Sequence, residues 1–299
     1  MSNGSERRLM KHAILGAGAI GGLMGTALAF LGEDVTLVVR PEKLAGYPEE
    51  LSLEQSAGVI TASAHAASRL TTPVDVLWIA TKTYQLESAL ASIVATPGAV
   101  VPLLNGVEHI APLRSRFGHD RVVPATIAVE AERLAEGHFA QRTTVRLNVA
   151  ASGEDLLGAL LARMQERLGF ACRFIPNEET LLWSKMCFLA PFALVTSASR
   201  KNKGEVLADP EWKATLDSAV AEATAVATAS GAEIDGAVIQ KILETSPATM
   251  RSSMAKDVVA GRRLELDAIG GPIVRGGEKY GIPVPTTQKL MGMIQSQAH

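Results

Sequence analysis

Residues 12–40 run His12-Ala13-Ile14-Leu15-Gly16-Ala17-Gly18-Ala19-Ile20-Gly21-Gly22-Leu23-Met24-Gly25-Thr26-Ala27-Leu28-Ala29-Phe30-Leu31-Gly32-Glu33-Asp34-Val35-Thr36-Leu37-Val38-Val39-Arg40. A short apolar run, Ala13–Leu15, leads into Gly16-x-Gly18-x-x-Gly21, and a helical stretch of small apolar residues continues to Leu31. Gly32 stands where a helix C-cap glycine belongs, and a second apolar run, Val35–Val39, follows. Three glycines at fixed offsets carry little weight alone. Between a buried-type strand and a helix, with a second strand at this distance, they have the setting of a dinucleotide-binding turn. Gly16 would allow the tight turn, Gly18 the approach of a pyrophosphate to the N–H groups of the helix N-terminus, and Gly21 close packing of helix on strand. The whole turn, Gly16, Ala17, Gly18, Ala19, Ile20 and Gly21, is therefore expected to hold the cofactor.

The second strand ends at Arg40, where an enzyme that uses NAD places an acidic residue for the ribose hydroxyls. A guanidinium there suits the additional 2′-phosphate of NADP. Lys82, after the apolar run Val74–Thr81, is a second positive charge at a strand end. NADPH/NADP is the expected cofactor.

Outward from this unit, continuous apolar runs recur at Val74–Thr81, Ala99–Leu104 and Val122–Thr126, with a helix-like stretch at Tyr84–Ala95. Runs without alternation suit strands covered on both faces of a parallel sheet. Thr143–Ala151 alternates and reads as an added antiparallel strand. From Asn177 the pattern becomes helical, at Glu178–Ser197, Pro210–Ser230, Ala237–Glu244, Glu265–Tyr280 and Thr286–Gln295. The expected fold class is α/β: a Rossmann-like, doubly wound parallel sheet in residues 1–176, with residues 1–10 as a tail, followed by an all-helical domain in 177–299.

The composition of the 299 residues agrees with a globular chain: 47% hydrophobic, 20% charged, with 26 Gly and 14 Pro. Lys+Arg 29 against Asp+Glu 31 leaves a formal charge of −2, which disfavours a nucleic-acid partner or an anionic membrane surface. Cys172 and Cys187 cannot staple a chain of this length and form no metal-binding spacing, which points to a reducing cytoplasm and no metal. The polar start, Met1 to Lys11, has no apolar core of an export signal, and Pro191 interrupts the densest apolar run, Cys187–Val195, so no membrane segment is expected.

Reduction of a carbonyl needs a proton donor for the nascent alkoxide. His109 and His119 are candidates, but each reads more readily as a loop or surface residue, and the second half has no histidine before His299. Lys185 is the better candidate, because it stands within Leu181-Leu182-Trp183-Ser184-Lys185-Met186-Cys187-Phe188-Leu189, where partial burial would poise an ammonium as an acid. The bland reading is a lysine that snorkels past apolar neighbours.

Three further stretches bear on this choice: Ser252-Ser253-Met254-Ala255-Lys256-Asp257, Gly261-Arg262-Arg263-Leu264-Glu265-Leu266-Asp267, and Tyr280-Gly281-Ile282-Pro283-Val284-Pro285. With the opening glycine turn and Arg40, Thr81-Lys82, Asn105-Gly106-Val107 and Trp183-x-Lys185, they resemble the ketopantoate reductase family in order and spacing over nearly the whole chain. The resemblance implies that Lys185 protonates the substrate oxygen as hydride arrives from the nicotinamide, and that Glu265, near the cofactor ribose, orients this lysine. It further implies that Ser253 binds the substrate carboxylate, that Asn105 touches cofactor and substrate in a cleft between the domains, and that Arg40, Lys82 and Gln85 serve the adenosine phosphate.

The family pattern also has asparagines where this chain has Leu189, Ala193 and Met250, so these apolar residues are expected in the substrate pocket. An apolar pocket leaves a buried substrate hydroxyl unpaired, at ~1–3 kcal/mol. The resemblance implies NADPH-dependent reduction of a 2-oxo acid, with ketopantoate to pantoate, in pantothenate biosynthesis, as the first expectation. A more apolar 2-oxo acid or an imine is the alternative within the family, and an NADPH-binding sensor without chemistry the alternative outside it. A homodimer through the helical domain is the expected assembly.

Overall fold

The computed structural model describes residues 9–297. The expected tail 1–10 lies outside these except for Leu9 and Met10; Met10 is no tail, since its N–H donates to Glu33 Oε2 at 2.9 Å and its side chain packs on the core.

Two compact units divide the chain, one of residues up to Leu104 with Ile110–Phe174, the other of Asn105–His109 with Ile175 onward. Asn105–His109 thus differ from the sequence expectation, which gave them to the first unit.

The first unit begins with β1 (Lys11–Leu15), α1 (Ala19–Phe30), β2 (Asp34–Val38), the short α2 (Pro41–Leu44) and a hairpin of β3 (Glu50–Gln55) and β4 (Gly58–Ser63). It continues with β5 (His65–Ala67), β6 (Val76–Ile79), α3 (Leu86–Leu90), β7 (Ala99–Pro102), α4 (Ile110–Phe117) and β8 (Ala125–Ala128). A second hairpin, β9 (Ala131–Ala135) and β10 (His138–Gln141), precedes β11 (Arg146–Ala150), α5 (Glu154–Leu168) and β12 (Ala171–Ile175).

Five strands form a parallel sheet in the order β5-β2-β1-β6-β7, with Leu15 opposite Val38 on one side and Ile79 on the other. β1 to β2 to β5 runs one way from β1 and β6 to β7 the other, as doubly wound sheets do. Ala13, Ile14, Val76, Leu77, Trp78 and Ile79 are fully buried, which is why these strands read as unbroken apolar runs. β11 pairs antiparallel with β8, as its alternation suggested.

The helix expected over 84–95 is mostly absent. A 3₁₀ turn at Thr83–Gln85 leads into α3, which stops at Leu90, and the N–H groups of Val94 and Ala95 donate to Leu70 O instead of continuing the helix.

The second unit is helical: α6 (Glu178–Ser199), α7 (Lys203–Ala208), α8 (Pro210–Ala229), α9 (Gly236–Thr245), α10 (Ser253–Val259), α11 (Leu266–Tyr280) and α12 (Pro285–Gln297). Asn177 caps α6 by accepting from Thr180 N at 2.7 Å, and Arg200 ends it in the left-handed region at φ 60°. α6 is the one helix among the described residues long and apolar enough to cross a membrane, but 78% of that window is buried, which makes it the core helix of this unit. Met186, Cys187, Ala190, Phe192, Ala193 and Leu194 pack there with residues of α8, α11 and α12.

Candidate active site

In the first unit, the parallel sheet gathers three chain segments at one end. Gly16 follows β1, Arg40 follows β2 and Lys82 follows β6, and all three strands run the same way. The backbone at Gly16 has φ +97°, and a Cβ there would lie 2.8 Å from Thr81 Cγ2, so glycine is required twice over. A Cβ on Gly21 would fall 1.9 Å from Gly16 O, which shows how closely α1 lies against the turn. Gly18 differs from both: a Cβ there would meet nothing within 4 Å.

Gly18 is also the N-cap of α1 and supplies no side-chain cap, and the first turn of α1 holds no acidic residue. A helix N-terminus leaves its first N–H groups without intrahelical partners and carries partial positive charge. Open space in front of such an end fits the pyrophosphate of a dinucleotide. Arg40 is exposed, with Glu42 Oε1 3.4 Å from its Nε. At the 3₁₀ turn after β6, Lys82 is part-exposed and Gln85 is exposed.

In the second unit, three residues distant in sequence meet. Lys185, in the second turn of α6, donates from Nζ to Asn105 Oδ1 at 2.9 Å. Asn105 Nδ2 in turn donates to Glu265 Oε2 at 3.3 Å. Only this orientation of the amide serves both partners, a lysine that can only donate and a carboxylate that accepts. Glu265 is 6% exposed and occupies the N-cap position of α11, a place that favours negative charge.

Burial pushes the Lys185 ammonium down from its usual 10.5 to about 8, and the negative charge of Glu265 opposes part of that fall. The group is therefore mostly protonated at neutral pH yet gives up its proton more readily than a surface lysine. That is the property of a general acid.

His109 belongs to this unit too; it is a loop residue, as its sequence context suggests, but not a surface one. It is 5% exposed, and neither ring nitrogen has a hydrogen-bond partner among the described residues. Burial first, and the Lys185 charge second, hold its pKa down to about 4, so the imidazole is neutral. His119 is exposed.

The other expected residues lie on α6 and around α10. Leu189 and Ala193 follow Lys185 at four-residue steps on one face of α6; Leu189 is partly buried and Ala193 is 0% exposed, within the apolar core. Met250 precedes α10 and is partly buried. Ser253 is exposed, whereas its neighbour Ser252 is buried and caps α10 by accepting from Ala255 N at 3.0 Å. Thr196 Oγ1 donates to Phe192 O at 2.7 Å, so in its 3.0 Å bond with Ser252 the serine is the donor. Sequence reasoning missed this Ser252–Thr196 pair, because a serine before a helix signals a cap but not its second partner. Among the described residues no group of three or more His, Cys, Asp or Glu could hold a metal ion.

Comparison with known proteins bears directly on this arrangement. The sequence pattern described as ketopantoate reductase PanE/ApbA matches residues 12–154, and that described as ketopantoate reductase PanE/ApbA C terminal matches residues 177–298. The chain belongs to the ketopantoate reductase family.

Among its relatives, the 2-dehydropantoate 2-reductase of Caulobacter vibrioides is 31% identical over 301 residues, covering 96% of this chain and 98% of that one. A crystal structure of a PanE/ApbA family ketopantoate reductase from Ralstonia eutropha JMP134 superposes with a TM-score of 0.84 at 28% identity, covering 97% and 98% of the two chains. D-mandelate dehydrogenase, solved with NADH and anilino(oxo)acetate, shares the fold with a TM-score of 0.84 at 22% identity over 97% and 98%. As a member of the ketopantoate reductase family the protein is an NAD(P)-dependent oxidoreductase acting on a CH–OH group.

Proposed function

We propose that this protein reduces a 2-oxo acid to the 2-hydroxy acid with NADPH, as a cytoplasmic enzyme, and that 2-dehydropantoate is its substrate, as the name of the Caulobacter vibrioides relative suggests. The observation that carries the reading is the Lys185–Asn105–Glu265 chain, which holds a protonated amine of lowered pKa in a fixed direction. When bound, the reduced nicotinamide supplies the hydride that adds to the carbonyl carbon.

In this reading Lys185 donates its proton to the carbonyl oxygen as negative charge develops there. Asn105 directs the ammonium and Glu265 keeps it charged. The turn Gly16–Gly21 receives the pyrophosphate on the N–H groups of α1. Arg40 and Lys82, with Gln85 beside them, take the phosphate on the adenosine side, and Ser253 takes the substrate carboxylate. Product formation leaves Lys185 neutral, and it recovers its proton from solvent before the next turnover.

A panel of 2-oxo acids, assayed by loss of NADPH absorbance and repeated with NADH, tests the proposal. Turnover of 2-dehydropantoate with kcat/KM of ~10⁴ M⁻¹s⁻¹ or above, inside the usual enzyme range, is the expected result. Absence of turnover for every oxo acid despite tight NADPH binding would overturn it.

A second reading rests on Leu189 and Met250, both apolar and only partly buried. If these residues line the substrate pocket, hydroxyl-bearing substrates lose to apolar ones by ~1–3 kcal/mol for each unpaired hydroxyl. The same panel decides between them by the ratio of kcat/KM for 2-dehydropantoate to that for a 2-oxo acid with a plain aliphatic side chain.

A further inference from the structure

Asn105 has a demanding task, because its side-chain amide must reach Lys185 and Glu265 together. Yet it stands outside any helix or strand, in the segment Asn105–His109 between β7 and α4. A loop residue holds a 2.9 Å bond only if something fixes the loop.

Two contacts do so, and both go to α11, the helix that begins at Glu265. At Gly106, with φ +89°, the backbone lies so close to α11 that a Cβ would stand 2.7 Å from Ala268 O. At Glu108, both carboxylate oxygens are taken by Arg275: Nε donates to Oε1 at 2.9 Å, and a terminal nitrogen donates to Oε2 at 2.5 Å. The same guanidinium donates to Asp267 Oδ1 at 2.8 Å, two turns earlier on α11. These two carboxylates raise the Arg275 pKa further above its usual value, in keeping with a firmly held ion network.

We infer that Arg275 is a positioning residue for the reaction, which acts through Glu108 to hold Asn105 against Lys185 and Glu265. It touches none of the reacting groups itself. One rigid helix thereby carries Glu265 at its start, the surface on which Gly106 rests, and the fork that fixes the far end of the loop.

The network is half-exposed, so its contribution to global stability is small. Its value lies in direction, because a planar guanidinium that grips both carboxylate oxygens restricts rotation and translation together. Misplacement of a catalytic group by about an ångström costs up to ~10²-fold in rate. The inference rests on the proposed reduction for its kinetic readout, but not for its structural one.

The test uses Arg275→Met, Glu108→Gln and the double variant in the full-length protein. Two quantities are measured: the NMR resonances of the Asn105 side-chain amide, identified by their loss in Asn105→Ala, and kcat with a turned-over oxo acid. Both single variants should shift or broaden the Asn105 amide and lower kcat by about tenfold, with the NADPH dissociation constant unchanged and the melting temperature nearly so. The double variant should be no slower than the slower single one, as for two residues of one unit. Arg275→Lys keeps the charge but not the fork and should fall between.

An Asn105 amide that is unmoved in both single variants overturns the inference, as does a loss of kcat that is additive in the double variant. Absence of turnover in the unsubstituted protein overturns the proposed function alone. The amide resonances then decide the role of Arg275 by themselves.

Discussion

Lys185 Nζ lies 2.9 Å from Asn105 Oδ1, so the ammonium that would deliver the proton is aimed by a residue eighty positions earlier in the chain. The amide passes the link on to Glu265, 160 positions beyond Asn105. Proton affinity and direction are thus set separately: burial and the Glu265 charge set the first, and the Asn105 carbonyl sets the second.

Rate against pH follows from the lowered Lys185 pKa. In the proposed reduction the protonated form is the active one, so kcat should be level at neutral pH and fall tenfold per unit above about 8. Glu265→Gln removes the charge that raises this pKa, and the descending limb should move to lower pH. Lys185→Ala should lower kcat by ~10²–10⁴-fold. A limb unmoved by Glu265→Gln would mean that another group titrates.

The glycines of the turn should separate binding from folding. Gly18→Ala places a methyl in open space, so the urea midpoint should hold while the NADPH dissociation constant rises by about tenfold or more, because the methyl occupies the expected path of the pyrophosphate. Gly21→Ala drives a methyl onto Gly16 O and should cost ~1–3 kcal/mol of stability. Urea titrations and fluorescence binding of NADPH check both; equal effects on the two measurements in both variants would refute the separation.

Cofactor choice should depend on Arg40. Its partner Glu42 is exposed and 3.4 Å away, a pair worth little, so Arg40→Ala should leave stability unchanged. KM for NADPH should rise by about tenfold or more, as expected for loss of a charge-assisted phosphate contact, while KM for NADH stays the same. An unchanged preference in steady-state assays would remove Arg40 from the site.

Acid should destabilise the fold through two histidines. His12, in β1, accepts from Trp78 Nε1 at 3.2 Å, and burial holds its pKa down to about 4 against a weaker upward pull from Asp75. His109 has a similarly lowered value. Between pH 6.5 and 4 the unfolded chain binds protons at these positions and the folded one does not, so stability should rise with pH across that window. Complete protonation would remove on the order of 3 kcal/mol for each histidine. Urea unfolding at pH 7 and pH 4.5 measures the difference, and His109→Gln should reduce it.

Much of the parallel sheet was legible in the sequence, because strands buried on both faces leave unbroken apolar runs. Glu50–Gln55 carries a period-two signal, with Leu51 and Leu53 fully buried, but its parallel partner β10 pairs with it across 86 positions, as Ser52 with His138, a pairing that local pattern does not reveal. Lys185 was legible because a charge within an apolar run needs an explanation. His109 was not, since a histidine flanked by Glu108 and Ile110 carries no local mark of burial. Arg275, between Val274 and Gly276 on α11, gives no hint that it grips a residue 167 positions away. The signals that failed are those of long-range partnership.

The passage of Asn105–His109 into the helical unit also bears on how this protein can be divided. A fragment beginning at Ile175 would contain Lys185 and Glu265 but leave their bridging amide behind, and a fragment ending at Phe174 would keep that amide with nothing to bridge. The two units are distinct in their internal contacts, yet the Lys185–Asn105–Glu265 chain draws on both stretches of the sequence. Any recombination that exchanges one half of such a chain for a homologue's has to carry a five-residue graft, Asn105–His109, across the junction, or it will part the proposed proton donor from the amide that aims it.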